Sequence, residues 1–309
     1  MVGGNDTLAG EFPFTALLGR TRKVRTYAGV VYEDKKFTCG GTLINLRYVL
    51  TAAHCHHPTK RRKQINLVRL GEFVVTEYTG RDCTAGGFCL EDLQDFDIRP
   101  EDVKMHPGYN RQRQSHQDQV VNVINDIALI RLPRQAKENQ AVRVVCLPLR
   151  PEVAALQLNV PDINEGLASF YPTVVGWGYT EGDPFKQNKT SKVPSPKQQK
   201  LALPVLNENQ CRAKLSDFIP RADQICAGGE KGKDSCSVSF FKLKIHIVYF
   251  IQGDSGGPLY MRSIIEGKKK SSYFESSKPW FLLGIVSFGS KQCGVGFPGI
   301  YTRFDAVRF

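Results

Sequence analysis

The stretch Gly253-Asp254-Ser255-Gly256-Gly257-Pro258 carries a serine enclosed by glycines, and the rest of the 309-residue chain is organised around it. A serine without bulky neighbours suits a tight turn that presents its hydroxyl and nearby backbone N–H groups to a ligand. The same residues are also ordinary turn composition. Taken alone, the stretch therefore fits both a nucleophile and a simple turn.

Two upstream segments favour the nucleophile. They are Thr51-Ala52-Ala53-His54-Cys55 and Asn125-Asp126-Ile127-Ala128-Leu129-Ile130. A serine nucleophile needs a base, and the base needs a carboxylate that orients it. The order His, Asp, Ser along the chain is one of the known orders for that constellation. On these three motifs the chain resembles the chymotrypsin-like (trypsin-family) serine proteases.

The resemblance implies an all-β fold of two six-stranded antiparallel barrels with the active cleft between them. Residues 1–309 would form one catalytic domain, with the first barrel at about 15–132 and the second at about 170–303. Short apolar runs punctuated by turns, such as Thr15–Leu18 and Gly29–Tyr32, agree with an antiparallel barrel. Only the first turn of the family's C-terminal helix would fit in Asp305–Phe309, so that helix is expected to be truncated.

The resemblance also assigns catalytic roles. Ser255 would attack the scissile carbonyl, His54 would accept its proton, and Asp126 would orient His54. The backbone N–H groups of Gly253 and Ser255 would form the oxyanion hole. Asp254 would pair with the α-amino group that is released when a zymogen is cut. Met1 stands where the family usually has Ile or Val, which favours an interior fragment to which a start codon has been assigned.

The resemblance places the primary specificity pocket around Asp234, which lies six residues before Ser255 once residues 238–252 are left out. An Asp at the pocket floor pairs with a cationic side chain, so cleavage after Arg or Lys is expected, with Arg able to pair bidentately. Two glycines would keep the pocket open. The predicted substrate-binding residues are Asp234, Ser235, Ser287, Phe288, Gly289 and Gly299.

Nine cysteines without Cys-x-x-Cys spacing favour disulfides over zinc and an oxidising, extracellular compartment. The loop around Ala85–Gly87 is short enough for a clip between its two flanking cysteines. By resemblance, the remaining pairs follow the family, and Cys146 would bind a propeptide that is not present. The predicted pairs are Cys83–Cys89, Cys39–Cys55, Cys211–Cys226 and Cys236–Cys293. The glycosylation sequons at Asn5 and Asn188 also agree with secretion.

Residues 238–252 interrupt the family pattern, because sixteen residues separate Cys236 from Gly253 where one is expected. A short retained intron, read through in frame, and a genuine loop insertion both explain the segment. Lengthening this loop costs about 2.4 kcal/mol of closure entropy. Displacing the Gly253 N–H would cost roughly 100–1,000-fold in turnover. The segment is therefore expected to impair catalysis before it unfolds the domain.

The distribution of charged residues bears on three kinds of ligand: nucleic acid, membranes and metal ions. The net charge is +12, but the basic runs Lys60–Lys63 and Lys268–Lys270 are short and scattered, which favours solvated loops over nucleic-acid binding. No membrane partner is expected either. Glu72 and later carboxylates up to Asp97 match a region where the family sometimes binds Ca²⁺, although a solvated acidic loop is the favoured explanation. No other cofactor is expected.

Three further features resemble the arthropod clip-domain serine proteases: Gly3–Thr7, the Cys83/Cys89 clip and Val286–Gly289. That resemblance implies a secreted endopeptidase of the haemolymph cascades that drive melanisation or Toll-ligand maturation. Its partners would be a protein substrate, an upstream activating protease and a serpin-type inhibitor. The alternative is a catalytically impaired homologue that acts as a binding cofactor, and assay of an Arg substrate separates the two.

Overall fold

Short strands joined by turns build almost all of the regular structure. The computed structural model describes residues 1–25, 27, 29–58, 64–75, 93–112, 122–149, 167, 170–180, 193–215, 220–235, 253–263, 278–289 and 294–304. Up to residue 131 the strands are β1 (Asn5–Asp6), β2 (Thr15–Arg25), β3 (Val31–Asn45), β4 (Tyr48–Thr51), β5 (Leu67–Leu70), β6 (Gln94–Asp97), β7 (Val103–Met105), β8 (Asn110–Gln112), β9 (Asn122–Ile124) and β10 (Ala128–Arg131). Later strands are β11 (Thr173–Gly176), β12 (Tyr179–Thr180), β13 (Val193–Pro194), β14 (Gln199–Ala202), β15 (Val205–Leu206), β16 (Gln224–Gly228), β17 (Pro258–Arg262), β18 (Trp280–Phe288) and β19 (Pro298–Arg303).

These strands form two large antiparallel sheets. The first has seven strands in the order β6-β5-β2-β3-β4-β10-β7, and the second has eight in the order β1-β14-β11-β17-β18-β19-β16-β15. The pairs β12-β13 and β8-β9 form two small ribbons. The predicted all-β architecture of two antiparallel half-barrels is confirmed, and the two sheets have seven and eight strands within the described residues. Asn5 and Asp6 pair with Lys200 and Gln199 and so add an edge strand to the second sheet.

The hairpin of β2 and β3 extends much further than the short apolar runs suggested. Its pairing continues from Gly19↔Phe37 out to Arg25↔Val31. Charged side chains alternate along this extension, and Nε of Arg22 lies 2.6 Å from Oδ2 of Asp34 across the two strands. Cross-strand pairs of opposite charge stabilise antiparallel strands. The hairpin therefore persists as an arm beyond the sheet, where apolar burial ends.

Aromatic side chains join the two sheets. Phe12 and Phe14 precede the first sheet, whereas Tyr260 and Trp280 belong to β17 and β18 of the second. The ring centroids of Phe14 and Tyr260 are 4.7 Å apart, and those of Phe12 and Trp280 are 5.0 Å apart. The fully buried Tyr260 hydroxyl donates to Oγ1 of Thr42 at 3.3 Å, which satisfies its polar end. The packed ring cluster fixes one sheet against the other.

One α-helix, α1 (Glu208–Lys214), and two one-turn 3₁₀ helices, Ala53–Cys55 and Pro100–Asp102, occur in the described ranges. The stretch Asn207-Glu208-Asn209-Gln210-Cys211-Arg212 predicts a short N-capped helix, and the structure confirms it. Asn207 Oδ1 accepts from the Gln210 N–H at 2.9 Å, and Gln210 Oε1 accepts from the Asn207 N–H at 3.0 Å, which is a capping box. No helix in the described part of the chain has the length and apolar character to cross a membrane.

Candidate active site

Strand pairing brings two distant polar residues together. His54 lies in the 3₁₀ turn that follows β4, and Asp126 lies two residues before β10 begins. Strands β4 and β10 pair antiparallel, with Thr51 opposite Ala128. In an antiparallel pair, the end of one strand lies beside the start of its neighbour. The two segments therefore leave the sheet at the same edge, although 72 positions separate the residues in sequence.

Asp126 is fully buried and is held by three donors. Its Oδ1 accepts from the His54 backbone N–H at 2.8 Å, its Oδ2 lies 2.7 Å from Nδ1 of His54, and Ser287 Oγ donates to Oδ2 at 2.5 Å. Burial alone raises the pKa of Asp126, but the adjacent His54 and these hydrogen bonds hold that pKa below its ordinary value. An ionised Asp126 favours a hydrogen on Nδ1 of His54, which leaves Nε2 able to accept a proton.

The Ser255 turn is attached to the first sheet directly beside His54. The Gly40 N–H donates to the Ser255 carbonyl at 2.8 Å. Gly256 has φ +73°, and a Cβ there would lie 2.3 Å from Oγ1 of Thr51 and 2.9 Å from Sγ of Cys55, so only glycine fits. The same Cys55 sulfur lies 4.0 Å from Nε2 of His54. These contacts bring the serine turn and the imidazole to one place.

The Ser255 hydroxyl has no hydrogen-bond partner among the residues that the structure describes, His54 included. Catalytic hydrogen bonds are often long in the absence of substrate and tighten when substrate binds. In the same described ranges, the N–H groups of Gly253 and Ser255 donate to no acceptor, whereas those of Gly256 and Gly257 bond to Val286 and Asp254 at 2.8 and 2.9 Å. Two free N–H groups at this turn can receive a developing oxyanion.

Asp254 is buried behind the serine turn and contacts the chain's amino terminus. The Gly178 N–H donates to its Oδ1 at 2.8 Å, and the α-amino nitrogen of Met1 lies 3.5 Å from its Oδ2. The same amino group also donates to the carbonyl of Tyr179. A Cβ at Gly176 would lie 2.4 Å from the carboxylate, and one at Gly178 would lie 2.5 Å from it. The two glycines therefore make the space that this ion pair fills.

Asp234 is also buried, and the N–H of Gly294 donates to its Oδ2 at 3.1 Å. The backbones of Asp234 and Val2 exchange hydrogen bonds of 3.0 and 3.1 Å, which links this residue to the amino-terminal segment. The neighbouring Ser235 has its Oγ 2.6 Å from the Tyr301 hydroxyl. A Cβ at Gly299 would lie 3.3 Å from that same Oγ, which is a tight contact, so glycine is the residue that fits best beside Ser235.

Two of the predicted substrate-binding residues have side chains in other surroundings. Ser287 donates to Asp126, and Phe288 packs with Cys211, Cys226 and Ile300 in a small core cluster. Sequence reasoning missed the contact of Ser287 with Asp126 because 161 positions separate the two residues. It also missed Tyr301, whose fully buried hydroxyl meets Ser235 and whose pKa is raised by burial.

The sequence profile of the trypsin family, described as "Trypsin", matches residues 1–238 and 241–308. The chain belongs to the trypsin family. The break in the match, at residues 239 and 240, falls inside the segment 238–252 that interrupts the family spacing. The chain is accordingly a serine protease by family, and the all-β two-sheet fold is the family's fold.

Similar proteins narrow the family further. The chain is 37% identical to Phenoloxidase-activating factor 3 of Holotrichia diomphalia, over 98% of this chain and 69% of that protein. It is 34% identical to CLIP domain-containing serine protease B4 of Anopheles gambiae, over 98% of this chain and 67% of the other. The structure of the Drosophila Grass clip serine protease of the Toll pathway matches with a TM-score of 0.64 at 25% identity, covering 99% of this chain and 69% of that one. This trypsin-family chain is thus similar to clip-domain serine proteases.

Two disulfides of the trypsin-family chain lie in the described residues. Cys39 is bonded to Cys55 directly behind His54, and Cys211 of α1 is bonded to Cys226 of β16. Cys146 is a free cysteine. The other predicted bonds, Cys83–Cys89 and Cys236–Cys293, lie outside the described residues, as does the segment 238–252.

Possible metal ligands are few among the residues of this trypsin-family chain that the structure describes. Glu72 Oε2 accepts from a guanidinium nitrogen of Arg69 at 3.0 Å, and a cation so close to the carboxylate opposes Ca²⁺ binding there. Residues 76–92, which include most of the acidic region, lie outside the described ranges. Ligating atoms of Cys39, His54 and Cys55 cluster within 4.8 Å of one another, but both sulfurs belong to a disulfide and are not thiolate ligands.

Proposed function

We propose that the chain is a secreted serine endopeptidase that cleaves a protein substrate after Arg or Lys within an arthropod proteolytic cascade. One observation carries the proposal: a fully buried carboxylate, Asp126, binds His54 through two of its atoms beside the Ser255 turn. A buried carboxylate that orients an imidazole next to a serine is the arrangement that activates a hydroxyl nucleophile.

In this mechanism, Ser255 Oγ attacks the scissile carbonyl carbon while Nε2 of His54 takes the hydroxyl proton. The carbonyl oxygen becomes an oxyanion that the N–H groups of Gly253 and Ser255 receive. His54 then donates its proton to the leaving amine as the carbon–nitrogen bond breaks, and an acyl-enzyme forms on Ser255. Water, activated by His54, hydrolyses that ester. Asp126 stabilises the imidazolium in both steps.

Selection of a basic residue is assigned to Asp234. Its carboxylate is buried and accepts a hydrogen bond from the Gly294 N–H, and a cationic side chain of the substrate would add a charge-assisted hydrogen bond there. Gly299 lies close to Ser235 and carries no side chain, which agrees with a pocket that admits a long side chain. An Arg guanidinium can pair with such a carboxylate through two hydrogen bonds, so Arg is expected to be preferred over Lys.

The cascade role is proposed from the relatives. Phenoloxidase-activating factor 3 and the Grass protease of the Toll pathway are both similar to this chain. A protein substrate, an activating protease and a serpin-type inhibitor are therefore the proposed partners, and melanisation or Toll signalling is the proposed setting.

The test uses fluorogenic Arg, Lys and Phe amides with the chain whose amino terminus is Met1. The Arg amide is expected to be cleaved fastest, and Ser255→Ala is expected to abolish cleavage. Replacing Asp234 by Ser should lower kcat/KM for the Arg amide by about 30-fold or more, because one partner of a buried charge pair is lost. Equal Arg cleavage by the Asp234→Ser variant contradicts the pocket assignment. A wild-type chain as inert as Ser255→Ala contradicts the endopeptidase and favours the alternative, a binding cofactor.

A further inference from the structure

The outer end of the β2–β3 arm exposes apolar side chains to solvent. The arm tip is defined here as Tyr27, Val30, Val31 and Tyr32; Tyr27 is fully exposed, and the other three are between 49% and 61% exposed. A Cβ built at Gly29, within the tip, would meet no atom within 4 Å, so the turn stands clear of the described chain there. Exposed apolar patches on a protein surface mark sites of protein or membrane contact.

The apolar side chains of the tip lie on both faces of the arm. Tyr32 is paired with Val24, and Val31 is paired with Arg25. Successive residues of a strand point to opposite faces, so Val31 and Tyr32 are presented in opposite directions. A protein partner that packs against one face would leave the apolar residues of the other face in water. A lipid layer surrounds an inserted tip on every side and covers both faces.

Basic residues follow the tip towards the body of the protein. Residues 20–36 contain six Arg or Lys and two Asp or Glu, a net charge of +4. Arg22 and Lys35 are engaged in ion pairs, whereas Lys23 and Arg25 are exposed, and Arg25 has no acid opposite it on β3. Anionic lipid headgroups attract such residues, and the net charge of +12 of the whole chain acts in the same direction. An apolar end followed by cations matches the layers of an anionic bilayer.

The arm is long enough to bring its tip into a lipid layer while the sheet stays outside. The pairing of β2 with β5 ends at Gly19, and six further residues of β2, Arg20–Arg25, are paired with β3 alone. At about 3.4 Å per residue, this part of the arm extends about 20 Å. The headgroup layer on each side of a bilayer is only about 5–8 Å thick. Insertion of the tip therefore requires no contact between the sheets and the lipid.

We propose that the arm tip docks the chain on anionic phospholipid bilayers, with Tyr27 and Val30 among the headgroups and with Lys23 and Arg25 against the lipid phosphates. Tyrosine suits this depth because its ring is apolar and its hydroxyl stays hydrated. A few apolar side chains anchor a protein weakly, and the cations supply the second contribution that stable binding needs. The inference goes beyond the proposed function and does not depend on it. It also revises the expectation, based on the sequence alone, that the chain has no membrane partner.

Co-sedimentation of the 309-residue chain with vesicles tests the electrostatic part. Vesicles of phosphatidylcholine with about 30% phosphatidylserine should bind the chain at least about 10-fold more tightly than pure phosphatidylcholine vesicles, and added salt should weaken the binding. Replacing both Lys23 and Arg25 by Gln should weaken binding about 10–30-fold, since each cation near the surface contributes about fivefold in affinity. Lys104→Gln combined with Lys137→Gln removes the same charge from exposed positions outside the arm and should keep the wild-type affinity.

Variants of the tip test the apolar part. Tyr27→Ser combined with Val30→Ser should weaken binding to the anionic vesicles about 10-fold or more, because the anchoring apolar surface is lost. Tyr171→Ser, at an exposed tyrosine outside the arm, is the matched control and should bind as the wild-type chain does. Tyr27→Trp should keep the affinity, and its fluorescence should shift to shorter wavelength when the anionic vesicles are added.

Three results overturn the inference. The first is a wild-type chain that does not bind the anionic vesicles, and the second is binding that the double Ser variant of the tip leaves unchanged. The third is a wild-type dimer in size-exclusion chromatography that the same variant converts to a monomer, because the tip then contacts a second copy of the chain. Cleavage of an Arg amide without vesicles is measured in parallel and should be equal for all variants. A wild-type chain that fails on the amide contradicts the proposed function alone.

Discussion

Asp126 shows how single residues define this site. Its side chain is completely buried, yet three hydrogen-bond donors from two residues satisfy it. Hydrogen bonds to a charged acceptor are stronger than those between neutral groups, and they offset the cost of removing the charge from water. The orientation of the His54 ring consequently depends on how completely this carboxylate is fixed.

Replacing Ser287 by Ala removes one of those donors. We expect kcat for an Arg amide to fall about 3–30-fold with little change in KM, because the lost hydrogen bond to a charged group acts on the carboxylate and not on the substrate. Steady-state kinetics measure both constants, and thermal unfolding checks that the fold is kept. Ser287→Thr, which retains the hydroxyl, is the matched control. A rise in KM at constant kcat contradicts this positioning role and favours direct substrate contact.

The sequence alone identifies a site residue only when that residue lies in a local motif. His54, Asp126 and Ser255 each lie in a recognisable stretch, and their order along the chain points to one chemistry. The hydrogen bond between Ser235 and Tyr301 has no such signal, because 66 positions separate the partners; Tyr301 belongs to β19, and Ser235 lies after β16, the strand that pairs with β19. Contacts made by side chains across a sheet follow from register, which local patterns do not encode.

Among the elements, the β2–β3 arm is stabilised at its base by charge. Asp95 of β6 accepts from Arg69 of β5 at 2.7 and 2.9 Å and from Lys35 of β3 at 2.8 Å. Burial alone raises the pKa of Asp95, but the hydrogen bonds from Arg69 and Lys35 bring it below its ordinary value of 3.8. Three strands are therefore tied together by a carboxylate that must be ionised.

Replacing Asp95 by Asn should lower the free energy of unfolding by about 1–3 kcal/mol near pH 7, because hydrogen bonds to a charged group are lost. The pKa of Asp95 is lower in the folded than in the unfolded chain, so the unfolded chain binds more protons as the pH falls. The stabilisation from Asp95 is therefore complete above pH 3.8 and is lost as the pH falls through the pKa of the folded state. Denaturant unfolding at several pH values measures it. Asp97→Asn, on the same strand and exposed, is the control and should cost little. A loss that stays constant down to pH 2 contradicts the assignment.

The segment 238–252 is the element with the clearest expected effect on catalysis. Joining Ser237 directly to Gly253 should raise kcat/KM for an Arg amide by up to about 100–1,000-fold, since the shorter loop holds the Gly253 N–H more firmly at the oxyanion hole. Shortening the loop should also add about 2.4 kcal/mol to stability by the loop-length rule. Deleting ten residues elsewhere in the chain, 182–191, is the control. Unchanged activity after deletion of 238–252 indicates a genuine loop that the site tolerates.

Elements differ in how well the sequence predicts them. The cap of α1 could be predicted because Asn207 and Gln210 stand at the spacing that a capping box requires. The full length of the β2–β3 arm could not, because its outer half consists of alternating charged and polar residues with little apolar burial. Burial periodicity, the main sequence signal for strands, weakens where cross-strand ion pairs take its place.

At the scale of the whole molecule, the amino terminus and the serine turn meet in one buried ion pair. Met1 is 1% exposed, and its α-amino group lies 3.5 Å from Asp254, the residue next to Ser255. Breaking a buried pair by removing one partner is strongly destabilising because it leaves an uncompensated charge. The shape of the oxyanion turn therefore depends on a free amino group at the other end of the sequence.

Two extra residues, Gly-Ser, placed before Met1 should move the charged amino group out of this space. We expect kcat/KM for an Arg amide to fall about 100-fold or more, because the Asp254 carboxylate loses its partner and the turn rearranges. Far-ultraviolet circular dichroism should remain unchanged. An extension that a second protease removes provides the control, since cleavage should restore activity. Full activity with the extension in place contradicts a dependence on the free terminus.

The bond between the Gly40 N–H and the Ser255 carbonyl joins residues from opposite halves of the protein. Neither half can hold the reactive hydroxyl in place by itself: one supplies the serine, and the other supplies its anchor together with the imidazole. Proteolytic activity is thus expected to appear only at the last step of folding, when the two halves of the protein pack against each other. An incomplete chain is therefore expected to have no proteolytic activity during synthesis. A cleaved or partly unfolded chain is expected to lose its activity before it unfolds completely.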